Sequence, residues 1–268
     1  MSNPILNDRN FNKVAENPGW AAPEPSTRST PIDDGPISPW QSARDTMTVS
    51  GSITATGVLM VLLLATAVVG WNMVETSTNT FPAAAMIGVV VGLVAVIAMM
   101  FKPMWARVLG PIYALGEGLF IGVISKAYND VYGGGIVVQA VGATLAVALV
   151  MLVLYRTRVI KVTEKFRSII MAATLGLMAF YALTFVIHLF GPDIGAWHRG
   201  SNGMGILFSV FAAGLAAFNL LLDFDLIERG AKRQLPKGME WVAAVGLLVT
   251  LVWLYLELLR LLAKLQDR

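Results

Sequence analysis

Seven stretches of this chain are each long and apolar enough to cross a bilayer, and that governs what the chain can fold into. A helix needs about 20 apolar residues to span about 30 Å of hydrocarbon. Residues 50–74, 82–101, 108–127, 135–155, 166–190, 203–227 and 239–263 meet that length. The runs are continuous rather than alternating, so they read as helices, which satisfy their own backbone hydrogen bonds in lipid, and not as barrel strands. Composition agrees: 56% of the 268 residues are hydrophobic and 14% charged, against about 25% charged in an ordinary soluble domain. The expected fold is an all-α integral membrane bundle of seven transmembrane helices over residues 49–268, with a six-span count, segment 7 being re-entrant or interfacial, as the alternative. Pro82, Pro103, Pro111 and Pro236 are expected in loops or first turns, where a missing N–H matters little.

Before the first span the character changes. Ten of the 37 charged residues and seven of the twelve prolines precede Met47, so residues 1–48 read as a polar, disordered tail. Lys and Arg then set the orientation. Fifteen of the twenty fall on one side: the tail, the second loop with Lys102 and Arg107, the fourth with Arg156 to Arg167, and the sixth with Arg229 to Lys237. Lys126, Arg199, Arg260, Lys264 and Arg268 make up the other side. This predicts a cytoplasmic N-terminus and an outside C-terminus, in a plasma membrane of bacterial type. The first apolar run starts near Ser50, too late for a signal peptide, and is expected to act as an uncleaved anchor.

Several function classes drop out. A net charge of +3 with basic residues scattered among loops makes no nucleic-acid patch. With no cysteine there is no thiolate chemistry. His188 and His198, the two histidines, flank an outer turn at a spacing poor for zinc. No nucleophile elbow, zinc-protease motif or phosphate loop occurs. The expectation is a protein that is not an enzyme and carries no cofactor. Gly88-x-x-x-Gly92 and Gly118-x-x-x-Gly122 are read as close-packing positions within the bundle.

What remains for chemistry is carboxylate. Glu117, Asp223, Asp225 and Glu257 fall within the apolar segments, and an acid in hydrocarbon is a functional hypothesis by default. At about 1.5 Å per residue, Glu117 falls close to the midplane, Asp223 towards the cytoplasmic boundary and Glu257 towards the outer side. Asp225 has Arg229 at i+4, the favourable order for an ion pair at a solvated helix end. Asn219, one turn before Asp223, extends a polar stripe towards the interior. Glu257 has Arg260 at i+3, and a local ion pair is its plain structural reading. Glu117 has no basic neighbour one turn away and needs a partner from another span, an ion or a proton.

At these acids the chain resembles the Bax inhibitor-1 family, also called TMBIM or YccA-like, over roughly residues 50–265. The resemblance rests on Glu117-Gly-Leu-Phe-Ile-Gly-Val-Ile-Ser125, on Asp223-Phe-Asp-Leu-Ile-Glu-Arg229, which is similar to the family's Asp-Thr-Gln-Leu-Ile signature, and on Leu254-Tyr-Leu-Glu-Leu-Leu-Arg-Leu-Leu262. It implies a bundle with span 7 at its centre and a pH-sensitive cation leak, classically for calcium, gated by an acidic pair on spans 6 and 7. The pattern is broken here: one register of span 7 sets Thr250 where the family often has its second Asp, and another selects Glu257. The resulting expectation is passive movement of calcium, or of protons exchanged for it, with Asp223 as inner gate and sensor, Glu117 as midplane site and Glu257 with Arg260 as outer gate. Lipid, calcium and protons are the expected partners. A non-conducting regulator that binds other membrane proteins, such as a membrane protease, is the alternative reading.

Overall fold

The computed structural model describes residues 46–76, 83–133, 135–190 and 200–267. Nearly all of the polar tail expected over 1–48, and with it Pro82 and His198, lies outside them, as does the side chain of His188. The described residues form seven helices: α1 Val49–Thr76, α2 Ala83–Phe101, α3 Ala106–Tyr132, α4 Ile136–Arg156, α5 Glu164–Phe190, α6 Gly203–Lys232 and α7 Met239–Gln266. A 3-10 turn, Pro103–Trp105, joins α2 to α3. Six of the helices are long and apolar enough to cross a membrane, and α2 contributes a shorter apolar stretch, Ala85–Phe101.

Helix α7 is the axis of the bundle. It packs against α1, α3, α4 and α6, and Val242, Ala243, Ala244, Val245 and Leu248 along it are fully buried. The small Ala243 and Ala244 among them let neighbouring backbones approach, and close packing of this kind drives helix association in lipid. The outer faces instead carry exposed Val, Leu, Ile and Phe, such as Phe101 and Val138. Exposed apolar surface on this scale marks a face that meets lipid. Helix α5 stands at the side of α6, with Ile170 and Leu177 packed on Ala212, Leu215 and Leu222.

The glycines pack as the Gly-x-x-x-Gly spacing suggested, but across different pairs of helices. A Cβ at Gly118 or Gly122 would lie 2.3 Å from Leu63 O or 2.0 Å from Ala67 O, both on α1. Gly88 of α2 meets Gly116 of α3 instead, where a Cβ on either would lie 2.6 Å from the other's carbonyl oxygen. One expectation is corrected: Pro111 lies inside α3. The helix begins at Ala106, before the apolar run, so Pro111 falls beyond the first turn.

Candidate functional site

Near the middle of the interface between α6 and α7 sits Asp223, with no exposed surface. Neither of its carboxylate oxygens has a hydrogen-bond partner. Thr250, on α7, approaches the carboxylate, but its hydroxyl donates to Gly246 O at 3.2 Å, within its own helix. One turn before Asp223, buried Asn219 donates through Nδ2 to Thr174 Oγ1 of α5 at 2.9 Å and to Leu215 O at 2.8 Å. Its Oδ1 has no partner. Three acceptor oxygens therefore lie unsatisfied within one turn of α6, where burying even one polar group without a partner is costly.

Both α3 and α6 extend beyond their apolar runs. Helix α6 continues to Lys232, so Asp223 lies nine residues, about 14 Å, inside the helix end. Glu117 lies eleven residues from Ala106, about 16 Å from the same side. Each acid thus lies well inside its own helix. They are not on the same helix interface. Glu117 Oε2 faces α2, 3.7 Å from where a Cβ of Gly92 would stand, beside Tyr113. Glu117 is half-buried and makes no hydrogen bond or ion pair with a described residue.

Asp225, two residues beyond Asp223, turns away from it. Its Oδ2 forms an ion pair with Arg229 Nη2 at 2.9 Å, as expected from the i+4 spacing, and accepts a hydrogen bond from Arg167 of α5 at 2.7 Å. Glu164 approaches both arginines at 3.6 and 3.9 Å. The result is a four-membered charge cluster that ties the start of α5 to the end of α6.

Glu257 stands seven residues, about two turns, beyond Thr250 on α7 and has a separate set of partners. Its side chain is 2% exposed. It accepts from Arg260 at 3.0 Å, from Tyr181 of α5 at 3.0 Å and from Trp253 at 3.3 Å. Arg260 also donates to the Tyr181 hydroxyl at 3.1 Å and lies over that ring. Lys264, one turn on, reaches back to Gly205 O and Ser209 Oγ at 2.9 and 2.8 Å, fastening the end of α7 to the start of α6.

Sequence reasoning passed over three residues here. Arg167 had been counted only as a loop charge, although it begins α5 and is buried. Tyr181 is one aromatic residue among many in an apolar run. Glu240, in the first turn of α7, is buried and accepts from both the backbone N–H and the hydroxyl of Thr48 at 2.9 Å. Beside it Met47 N donates to Leu235 O at 2.6 Å, and Thr46 pairs with Pro236 in an isolated antiparallel bridge. The segment entering α1 is thus clamped to the turn between α6 and α7. The one available signal was Glu240 itself, an acid within an apolar segment.

The central seventh helix matches the architecture that the motif resemblance implies, whereas Asp223 faces Thr250 rather than a second acid on α7. No curated protein matches the chain. A family model described as Bax inhibitor 1 like matches residues 3–267, essentially the whole length, and the chain belongs to that family of integral membrane proteins.

Proposed function

We propose that this protein is a pH-sensitive passive leak for cations, calcium foremost, whose selective step is at Asp223 between α6 and α7. The observation that carries this reading is the set of unsatisfied oxygens: two on Asp223 and Oδ1 of Asn219, one turn apart and buried. Oxygen acceptors without donors suit a hard cation, which takes carboxylate, amide and hydroxyl oxygens. They equally suit a proton, which converts the carboxylate into a donor. Competition between the two ligands makes the route sensitive to pH without a histidine. Among the described residues no three His, Cys, Asp or Glu side chains group together, so a cation would be held in transit rather than stored.

Around this site the other charges take gating roles. The cluster of Asp225 with Arg167 and Arg229 closes the end nearer Lys232, and the pair of Glu257 with Arg260 closes the other end. Glu117, on α3, offers a second carboxylate to an ion. The protein is not an enzyme and needs no resident cofactor, since calcium is cargo. The N-terminus lies in the cytoplasm of a bacterial-type cell and the C-terminus outside, following the distribution of basic residues.

The test is calcium flux into liposomes containing the purified protein, between pH 6 and pH 8, beside an Asp223→Asn variant. Flux that varies with pH in the parent and loses that dependence in the variant is expected. Equal pH profiles would remove Asp223 as the sensor, and no flux above empty liposomes would leave the regulator of other membrane proteins as the better reading.

A further inference from the structure

Away from the acids, a cleft of about 480 Å³ lies between α1 and α4, floored by α3 and α7. Its size falls within the range of small-molecule sites, about 300–1,000 Å³. Leu64 and Val68 of α1 and Val141 and Leu145 of α4 form its edges and are exposed on the outside of the bundle. The cleft therefore opens sideways, to the bilayer rather than to water.

Its hydroxyl groups are already satisfied. Ser125 and Tyr255 share a hydrogen bond of 2.6 Å, and Ser125 also donates to Ile121 O at 2.6 Å. Thr144 donates to Ala140 O at 2.7 Å. An apolar space that offers no polar partner does not hold water well, and the solvent at its mouth is hydrocarbon. Its length points the same way. Along α1 the lining runs from Met60 to Trp71, eleven residues or about 16 Å, close to half of a hydrocarbon core about 30 Å thick. At the Trp71 end, Lys126 Nζ lies 5.6 Å from the indole centroid. An indole and a lysine side chain both favour the level of the lipid headgroups.

We propose that this cleft binds an acyl chain of a phospholipid, drawn from the leaflet on the side of the α3–α4 turn, with the phosphate at the level of Lys126 and Trp71. The chain lies along α1 and α4, and its methyl end reaches Met60 near the bilayer centre. The site involves none of the acids assigned to ion movement, so it stands or falls independently of the leak.

The experiment is lipid analysis of protein purified with exhaustive detergent exchange. The parent is expected to retain phospholipid in equimolar amount. Ala67→Leu and Val141→Phe, which fill the cleft, are expected to lose it. Val138→Phe, at an exposed position of the same helix outside the cleft, is expected to keep it. No retained phospholipid in the parent, equal retention in all variants, or retention of free fatty acid alone would overturn the assignment. A second measurement on the parent guards against misfolded variants: in bilayers of phosphatidylcholine brominated on its acyl chains, Trp71 fluorescence, taken as the difference from Trp71→Phe, should be quenched. Unquenched Trp71 would likewise overturn it.

Discussion

Arg167 and Arg229 converge on a single oxygen, Asp225 Oδ2, at 2.7 and 2.9 Å, and they come from different helices. The nearer of the two is the one contributed from outside α6. That makes the Arg167–Asp225 contact the shorter tie of α5 to α6 in this cluster; the other, Glu164 to Arg229, spans 3.9 Å. Replacing Arg167 by Met should lower stability by about 1.5–3 kcal/mol, the range for a hydrogen bond to a charged group. Thermal unfolding in detergent reads this directly. Adding Asp225→Asn to Arg167→Met should cause less further loss than Asp225→Asn alone, as expected for contacting residues.

The Glu257–Arg260 pair is asymmetric in burial. Side-chain exposure is 2% for the acid and 39% for the base. Arg260→Ala strands a buried carboxylate, for which breaking a buried pair costs about 3–5 kcal/mol, whereas Glu257→Gln leaves a guanidinium that can turn to the interface. The prediction is a larger fall in melting temperature for Arg260→Ala than for Glu257→Gln. Equal falls would mean that Tyr181 and Trp253 suffice to hold the acid.

Close approach between α1 and α3 rests on glycine. Gly122→Ala would set a methyl 2.0 Å from Ala67 O, and overpacking of this kind costs about 1–3 kcal/mol or more. Gly142→Ala on α4 meets nothing within 4 Å and gains helix propensity. Melting temperatures should fall for the first and hold or rise for the second.

Thr250→Asp would put a second carboxylate beside Asp223, across the interface between α6 and α7. Two acids in contact titrate as a pair in two macroscopic steps. Flux measured against pH in liposomes should accordingly change from one step to two, while Thr250→Val keeps one. A single step in both variants would separate Thr250 from the sensing site.

Much of this architecture is legible in the chain, and the limit has a physical form. Seven helices follow from length and hydropathy alone, and the Asp225–Arg229 and Glu257–Arg260 pairs follow from helical spacing. Contacts between helices do not. A span that is apolar all round gives no face to orient, so nothing local marks Arg167 as the partner of Asp225 or Tyr181 as the partner of Glu257. Gly118 and Gly122 announce a close neighbour without saying that it is α1. The length of α6 was hidden too, because the helix runs past the last apolar residues into Glu228, Arg229 and Lys232, a polar end that hydropathy assigns to a loop. Pro111 misled because Ala106 and Arg107 start α3 ahead of its apolar run.

Met47 and Thr48 are held by Leu235 and Glu240, and α7 is the post around which α1, α3, α4 and α6 stand. Among the described helices, α7 is also the last to leave the ribosome. Until it arrives, the earlier helices have lipid where their common partner will be, and the start of α1 has nothing to clasp. Assembly therefore cannot proceed helix by helix to a finished intermediate. A nascent chain arrested before Met239 should hold α1, α2 and α3 together through their glycine contacts but leave α4, α5 and α6 open to proteolysis between spans, and should become resistant when α7 is added and the clasp closes.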